Sequence, residues 1–178
     1  MRVSFLEIYG EDVHDLSCPA STRNTERASL PVRENDQGLV FVQGLNEIFV
    51  QSAEEALEFL YQGTQNRTTA STLMNAGSSR SHAVFTITLD QQVNSTDTED
   101  DVQQMSSKLT FVDLAGSERL KRTGAEGQRM KEGIQINSGL FNLGQVINGL
   151  ADDQRLKNGG KSSHIPYRNS KLTHLLKV

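Results

Sequence analysis

The hydrophobic residues follow a strand pattern in several short stretches of the chain. The stretch "VSFLEIY", Val3 to Tyr9, is almost continuously apolar, which predicts a strand covered on both faces. "HAVFTITLD" alternates apolar with polar residues and predicts a second strand, and "KLTFVDLAG" predicts a third that ends at Asp113 and turns at Gly116. "LPVREND" and "GLVFVQG" predict a short hairpin around Asn35–Gly38.

Other stretches repeat apolar residues with helical spacing. "SAEEALEFLYQG" predicts a helix with Ser52 as N-cap, Glu55 three residues later and Gly63 as its stop. Its expected apolar stripe is Ala53, Ala56, Leu57, Leu60 and Tyr61. A second helix is predicted by the apolar positions Ile136, Leu140, Leu143, Ile147 and Leu150, with a polar face of Asn137, Ser138, Asn142, Gln145 and Asn148. "SKLTHLLKV" predicts the start of a last helix.

The polar tract from Val93 to Ser107 predicts a solvent loop, and "RLKNGGKSS" predicts another. Strands and helices that share one chain of 178 residues favour one α/β domain, or a large part of one. No apolar run approaches the length that crosses a bilayer, and Cys18 is the only cysteine. We therefore expect a location in the cytosol or nucleus and no internal disulfide.

Charge is distributed unevenly along the chain. Residues 1–107 carry 6 basic and 16 acidic side chains, whereas residues 108–178 carry 12 basic and 6 acidic ones. A basic C-terminal part indicates an acidic partner, either nucleic acid or an acidic protein surface. A solvated charged face explains the same counts equally well.

The segment "DLAGSE" holds the first candidate for chemistry. A carboxylate at the end of a buried strand, Asp113, is followed three residues later by Gly116. Nucleoside triphosphatases use this arrangement to hold magnesium through water and to bring a backbone N–H close to a γ-phosphate. Alone, the pattern is also compatible with an ordinary turn after a strand.

The segment "NAGSSRSH", from Asn75 to His82, strengthens the phosphate-site interpretation. Hydroxyl groups can ligate magnesium and orient water, and an arginine can pair with a carboxylate across such a site. The two motifs are separated by one strand, one loop and one more strand, and their joint presence is highly specific. His82 and the other histidines lack metal-ligand spacing, so we expect His82 to be structural.

With these motifs the sequence resembles the kinesin motor domain over nearly its whole length. "VSFLEIYGEDVHDL", "NAGSSRSH", "VDLAGSE", "INSGLFNLGQVINGLAD" and "HIPYRNSKLTHLL" carry the resemblance, and "RTTASTLMN" and "AEGQRMKEG" resemble the chromokinesin branch. The resemblance implies a partial P-loop NTPase-like fold, a central mixed sheet flanked by helices. It places switch I at 75–82, switch II at 113–118 and microtubule-facing elements at about 119–178. It also implies an internal piece of a motor that lacks the phosphate-loop region and the C-terminal end.

The resemblance implies specific roles in binding ATP and Mg²⁺. Ser79 is expected to ligate the ion, Asp113 to contact it through water, and Asn75 to line the nucleotide site. Ser78 is expected near the attacking water, and Gly116 is expected to sense the γ-phosphate. Arg80 would form an ion pair with Glu118 that closes the switches, a two-state event reported by the helix from Ile136 to Leu150.

The same resemblance gives the basic C-terminal half a partner. Kinesins present this region to tubulin, an acidic surface, and nucleic acid becomes a minor interpretation. The candidate contacts are Lys121, Arg122, Arg129, Lys131, Lys157, Lys161, His164, Tyr167, Arg168 and Lys171. The expected location is the cytoplasmic cytoskeleton, with nuclear or spindle association. No membrane partner is expected, and exposed charge contacts should make binding sensitive to salt.

Some features depart from the family pattern. The nearest match to a phosphate loop, Gly160-Lys161-Ser162, has Arg155 in place of the first glycine and no preceding strand, so it is rejected. The chain alone is therefore expected to bind and hydrolyse ATP poorly. Kinesins usually carry asparagine, aspartate and arginine at the positions of Gln145, Asn169 and His174.

Two alternatives to a motor remain from the sequence. One is a non-enzymatic module that binds microtubules or another partner without turning over ATP. The other is a GTPase switch, which also uses Asp-x-x-Gly. The second is disfavoured because the chain has no Asn-Lys-x-Asp motif for reading guanine.

Overall fold

The computed structural model describes residues 1–18, 29–73, 80–94, 102–116, 128–156 and 164–177. Its elements in chain order are β1 (Arg2–Tyr9), β2 (Asp12–Asp15), β3 (Val32–Glu34), β4 (Val40–Val42), β5 (Ile48–Phe49), α1 (Ala53–Leu73), β6 (Ser81–Asn94), β7 (Val102–Asp113), α2 (Gln128–Leu156), a 3₁₀ turn (Tyr167–Asn169) and α3 (Lys171–Leu175).

Five of the strands form one sheet in the order β2-β1-β6-β7, with β5 pairing with β1 beside β2. Every pairing between the described strands is antiparallel. The predicted hairpin around Asn35–Gly38 is confirmed as the separate pair β3 and β4, whose turn includes Gly38 at a φ of 79°. With helices against this sheet, the α/β prediction is confirmed.

Strand β1 is buried on both faces, as its apolar run predicts. Val3 and Phe5 face one cluster, which α1 covers through Ala56, Phe59 and Leu60. Leu6 and Ile8, which alternate with them, face a second cluster that includes Leu172 of α3. The central strand therefore joins two layers of core.

Helix α1 begins as predicted and ends later. The Ser52 hydroxyl accepts a hydrogen bond from the Glu55 backbone N–H at 3.2 Å, which confirms the N-cap. The prediction that Gly63 stops the helix is wrong, because α1 continues to Leu73. A Cβ at Gly63 would lie 2.3 Å from Cδ1 of Phe5. The glycine therefore permits close packing of the helix on β1.

The predicted apolar stripe of α1 is only partly buried. Ala56 is buried, but Leu57 and Tyr61 are 64% and 62% exposed. The helix contacts the sheet through a narrower line of positions, Ala56, Leu60, Gly63 and Arg67, spaced by four, three and four residues.

The prediction of a solvent loop from Val93 to Ser107 is wrong at both ends. Strand β6 continues to Asn94 and β7 begins at Val102, and their register pairs Leu89 with Ser107 and Asn94 with Val102. The Ser106 hydroxyl also donates to Asp90 at 2.7 Å. Backbone pairing and polar side-chain contacts stabilise this part of the ribbon, so the hydrophobic pattern carries no signal for it.

Helix α2 is longer than the predicted segment at both ends, and it includes residues 155 and 156 of the expected "RLKNGGKSS" loop. Its buried residues include Gly139, Asn142 and Val146, whereas Ile147 and Leu150 of the predicted stripe are exposed. The start of α3 is confirmed, with Ser170 as N-cap in a capping box with Thr173. None of the described helices has the combination of length and apolarity that a membrane span requires.

Candidate functional site

The ends of β6 and β7 bring the two candidate switch segments to one end of the sheet. Strand β6 begins at Ser81, so it contains the last two residues of the first motif, and β7 ends at Asp113, where the second motif starts. The register places Ala83 opposite Asp113. The described residues at the end of the first motif and at the start of the second, about 30 residues apart in sequence, therefore lie side by side.

Arg67 of α1 binds both of these strand ends. Its Nη1 lies 2.6 Å from Oδ2 of Asp113, and its Nη2 donates to the backbone carbonyl of Ser81 at 2.7 Å. Its Nε lies 3.3 Å from the Ser81 hydroxyl and 3.7 Å from Oε1 of Glu7 on β1. The Arg67 side chain is 9% exposed, so this charge is held inside the protein by two carboxylates.

Sequence reasoning did not single out Arg67. A signal for it exists, because it is the only basic residue of α1 and lies four residues after Gly63 on the packed face of the helix. A charged side chain on the packed face of a helix needs a buried partner.

His82 lies next to this cluster and is 3% exposed. Its Nδ1 accepts a hydrogen bond from the backbone N–H of Ala115 at 3.0 Å. Burial lowers the pKa of His82, the nearby charge of Arg67 lowers it further, and Asp113 opposes the shift. The imidazole is therefore neutral near pH 7, which agrees with the structural role predicted for it.

Asp113 is accessible in a way that fits a hydrated cation. Its side chain is 71% exposed although Oδ2 binds Arg67. A carboxylate oxygen is a preferred ligand of Mg²⁺ and of the water around it. The described residues include no group of three or more His, Cys, Asp or Glu side chains that could hold a metal ion. Ser79, the other predicted ligand of the ion, lies outside the described residues.

An open apolar cleft of about 830 Å³ lies between α1 and the sheet beside Arg67 and Asp113. Phe5, Leu60 and Phe85 are among the residues that line it. Apolar walls of this kind do not suit a triphosphate, so the cleft is not the nucleotide site.

Several predicted site residues lie outside the described residues. They are Asn75, Ser78, Ser79 and Glu118. Arg80 is described at the entrance to β6, but its predicted partner is not. The Arg80–Glu118 ion pair and the hydroxyl ligands therefore stay predictions, while Asp113 and Gly116 lie at and just beyond the end of β7.

The predicted basic contacts are described only in part. Lys121, Arg122, Lys157 and Lys161 lie outside the described residues, and for Arg129 and Lys131 only the position of the backbone in α2 is described. His164, Tyr167 and Arg168 lie on the segment that leads into α3, and Lys171 is the first residue of that helix. His164 and Arg168 are exposed.

Glu34, a residue that sequence reasoning missed, draws three basic side chains together. Its carboxylate lies 2.7 Å from Nη2 of Arg168, 3.3 Å from Nε2 of His174 and 2.5 Å from Nζ of Lys177. Hydrogen bonds from Lys177, Arg168 and His174 lower the pKa of Glu34 to about 2. This contact joins the β3–β4 hairpin to α3.

Comparison with known proteins agrees with these features. The family model described as Kinesin motor domain matches residues 1–178. The chain belongs to the kinesin motor domain family. Kinesin-like protein KIN-4C of Arabidopsis thaliana is 47% identical over 99% of this chain and 15% of its own length. Chromosome-associated kinesin KIF4A of Homo sapiens is 49% identical over 99% of this chain and 13% of its own length, which confirms the chromokinesin-like prediction.

Solved kinesin structures show the same fold. The structure of a fast kinesin matches with a TM-score of 0.77 and 44% identity over 98% of this chain and 44% of that one. That structure is described with implications for ATPase mechanism and interactions with microtubules. KIF14 in complex with a microtubule, in a state bound to AMP-PNP, matches with a TM-score of 0.80 and 38% identity over 98% and 47% of the two chains. This chain thus spans less than half of the kinesin structures and about a seventh of the curated kinesins it matches.

The three residues that depart from the kinesin pattern, Gln145, Asn169 and His174, lie in different surroundings. Gln145 is exposed on α2. The backbone carbonyl of Asn169 accepts a hydrogen bond from Nδ2 of the buried Asn142 at 3.1 Å, so this residue connects the 3₁₀ turn to α2. His174 contacts Glu34 within the domain.

Proposed function

We propose that the protein containing this chain is a microtubule-based motor that hydrolyses ATP with Mg²⁺. In the proposal, residues 75–82 and 113–118 are its switches, and residues from about 119 to 178 supply much of its track-binding face. Arg67 contacts both Ser81 and Asp113, and this observation carries the proposal because it joins one residue of each switch segment. Two similar structures support it: a fast kinesin described with its ATPase mechanism and its interactions with microtubules, and KIF14 in complex with a microtubule.

Each switch contributes a distinct task to the proposed chemistry. Ser79 and, through water, Asp113 hold Mg²⁺, which offsets the negative charge on the phosphate oxygens. Ser78 orients the attacking water and Asn75 lines the nucleotide site. Gly116 presents its backbone N–H to the γ-phosphate, which it can approach closely because it has no side chain. In this proposal, residues outside 1–178 cradle the remaining phosphates.

Closure of the switches couples this site to the track. Arg80 and Glu118 pair when the γ-phosphate is present, and α2 reports the change to the basic C-terminal elements. His164, Tyr167 and Lys171, with the other basic residues predicted for this region, face the acidic surface of tubulin. We place the protein on the microtubule cytoskeleton, with spindle or nuclear association, in keeping with its chromosome-associated relative.

The proposal is tested by the microtubule-stimulated ATPase rate of the full-length protein. Asp113→Asn removes the charge that holds the hydrated ion and should lower the rate about 100-fold or more. Gly116→Ala should have a similar effect. Asp36→Asn, the same change at an exposed hairpin residue, is the control and should leave the rate unchanged. An Asp113→Asn variant with the wild-type rate, or a wild-type protein without ATPase activity on microtubules, would overturn the proposal.

A further inference from the structure

His82 occupies a point where three elements meet. It is the second residue of β6, its ring binds the segment after β7, and α2 passes over it. It is 3% exposed, and among the residues that the structure describes, Arg67 and Asp113 are the charged groups whose electrostatic effects reach it. The ring therefore has a fixed position between the candidate switches and the long helix.

The hydrogen bond to Ala115 fixes the tautomer of the ring. A backbone N–H can only donate, so Nδ1 of His82 must be the unprotonated nitrogen and Nε2 carries the proton. The lowered pKa of His82 agrees with this neutral form. Ala115 is buried and directly precedes Gly116. The imidazole thus determines where the backbone before the proposed phosphate sensor lies.

The other side of the ring faces helix α2 at a glycine. A Cβ added to Gly139 would lie 3.5 Å from Nε2 of His82, which is van der Waals contact. Gly139 lies on the buried line of α2 that includes Asn142 and Val146. Without a side chain, Gly139 leaves room for about one methyl group between the helix and the ring, so a shift of α2 towards β6 would bring the helix against the imidazole.

We propose that His82 is a positioning residue that couples the backbone before Gly116 to helix α2, through its acceptor nitrogen on one side and its position beside Gly139 on the other. The proposal rests on the proposed function only for the role of Gly116. In a motor, the coupling lets a shift of the phosphate-sensing loop reach the helix without passing through the Arg80–Glu118 pair. His82 itself contacts neither nucleotide nor metal in this scheme.

The first experiment examines the hydrogen bond in the chain itself. In wild-type protein, ¹⁵N NMR should show His82 with Nδ1 unprotonated and Nε2 protonated. Amide exchange at Ala115 should rise about tenfold in His82→Leu, which has no acceptor, and stay within about threefold of wild type in His82→Asn, whose Oδ1 can accept at the same place. A ring protonated at Nδ1, or an Ala115 amide that exchanges equally in all three proteins, would overturn the proposal.

A second experiment keeps His82 intact and tests the coupling from the helix side. Gly139→Val should shift the His82 ring resonances and raise exchange at Ala115. Gly144→Val is the matched control, since a Cβ there meets nothing within 4 Å, and it should change neither. If the Gly139 variant behaves like the Gly144 variant, the ring does not couple loop and helix. Both experiments are independent of ATPase activity, so they test the coupling through His82 even if the proposed function is wrong.

Discussion

At the scale of single residues, Arg67 organises the candidate site. It contacts β1, β6 and β7 from one helix through Glu7, Ser81 and Asp113. A buried ion pair contributes little net stability over an apolar alternative, but removing one partner leaves a buried charge uncompensated. Arg67 therefore specifies how the strand ends are arranged.

Arg67→Met should lower the free energy of unfolding by about 3 kcal/mol or more, because Glu7 would lose this cation in a buried place. Arg33→Met is the control: Arg33 is exposed, and its loss should cost at most about 1 kcal/mol. Urea unfolding of both variants measures the difference. Equal and small losses would show that Arg67 does not organise these strand ends.

The sequence predicted the residues of the site that carry a short motif. Asp113 and Gly116 were found from Asp-x-x-Gly, and the structure describes them at and just beyond the end of β7. Arg67 and Glu34 were not found, because the oppositely charged partners that give them importance, Asp113 and Arg168, lie 46 and 134 residues away in the sequence. The place of Arg67 in α1 indicates that it needs a partner, but no local pattern records which residue that partner is.

At the scale of elements, the predictions differ in outcome according to how Gly63 and the hydrophobic patterns of the strands were interpreted. Strand β1 and the N-cap of α1 were predicted because local pattern and tertiary contacts agree there. The end of α1 was misplaced because Gly63 was interpreted as a stop, whereas close packing against Phe5 requires it. The β6–β7 ribbon was missed because its residues 89–92 and 104–107 are all exposed and leave no buried face to give a pattern.

Gly63→Ala tests this explanation of α1. Alanine favours helix by about 1 kcal/mol over glycine, but a Cβ 2.3 Å from Phe5 should instead destabilise the protein by about 1–3 kcal/mol. Gly144→Ala, where the added Cβ meets nothing within 4 Å, should stabilise it by up to about 1 kcal/mol. Thermal or urea unfolding shows whether each substitution raises or lowers the stability of the protein. A stabilising Gly63→Ala would contradict the packing account.

The contact between the β3–β4 hairpin and α3 predicts a dependence on pH. The pKa of Glu34 is lowered from 4.5 to about 2, so its contribution to stability is complete above pH 4.5 and is lost as the pH falls towards 2. Glu34→Gln should therefore melt at a lower temperature than wild type at pH 6, and the gap should close near pH 2. Asp36→Asn on the same hairpin is the control, and a gap of similar size for both variants would contradict the assignment.

At the scale of the whole molecule, charge is divided between an acidic first part and a basic second part of the chain. The basic side chains are concentrated in residues 108–178, while the first part of the chain is acidic. Part of that basic charge is already used within the domain, since Arg168 and Lys177 contact Glu34. The proposed track-binding face is therefore smaller than the count of basic residues suggests.

Binding to microtubules should depend on this face as a sum of weak contacts. Exposed ion pairs contribute about 0.2–1 kcal/mol each, so affinity should fall steadily with added salt. Lys171→Ala should weaken binding more than Arg33→Ala, because the second side chain lies outside the proposed face. Co-sedimentation at several salt concentrations measures both. Affinity that does not change with salt would contradict a charge-based face.

The central claim is that the state of the switches controls affinity for the track. The most direct measurement is the difference in microtubule affinity of the full-length protein between a non-hydrolysable ATP analogue and ADP, for wild type, Arg80→Ala and Glu118→Ala. The account predicts tighter binding with the analogue in wild type and loss of that difference in both variants. Wild-type affinity that is the same with either nucleotide would contradict it and would favour a module that binds microtubules without using ATP.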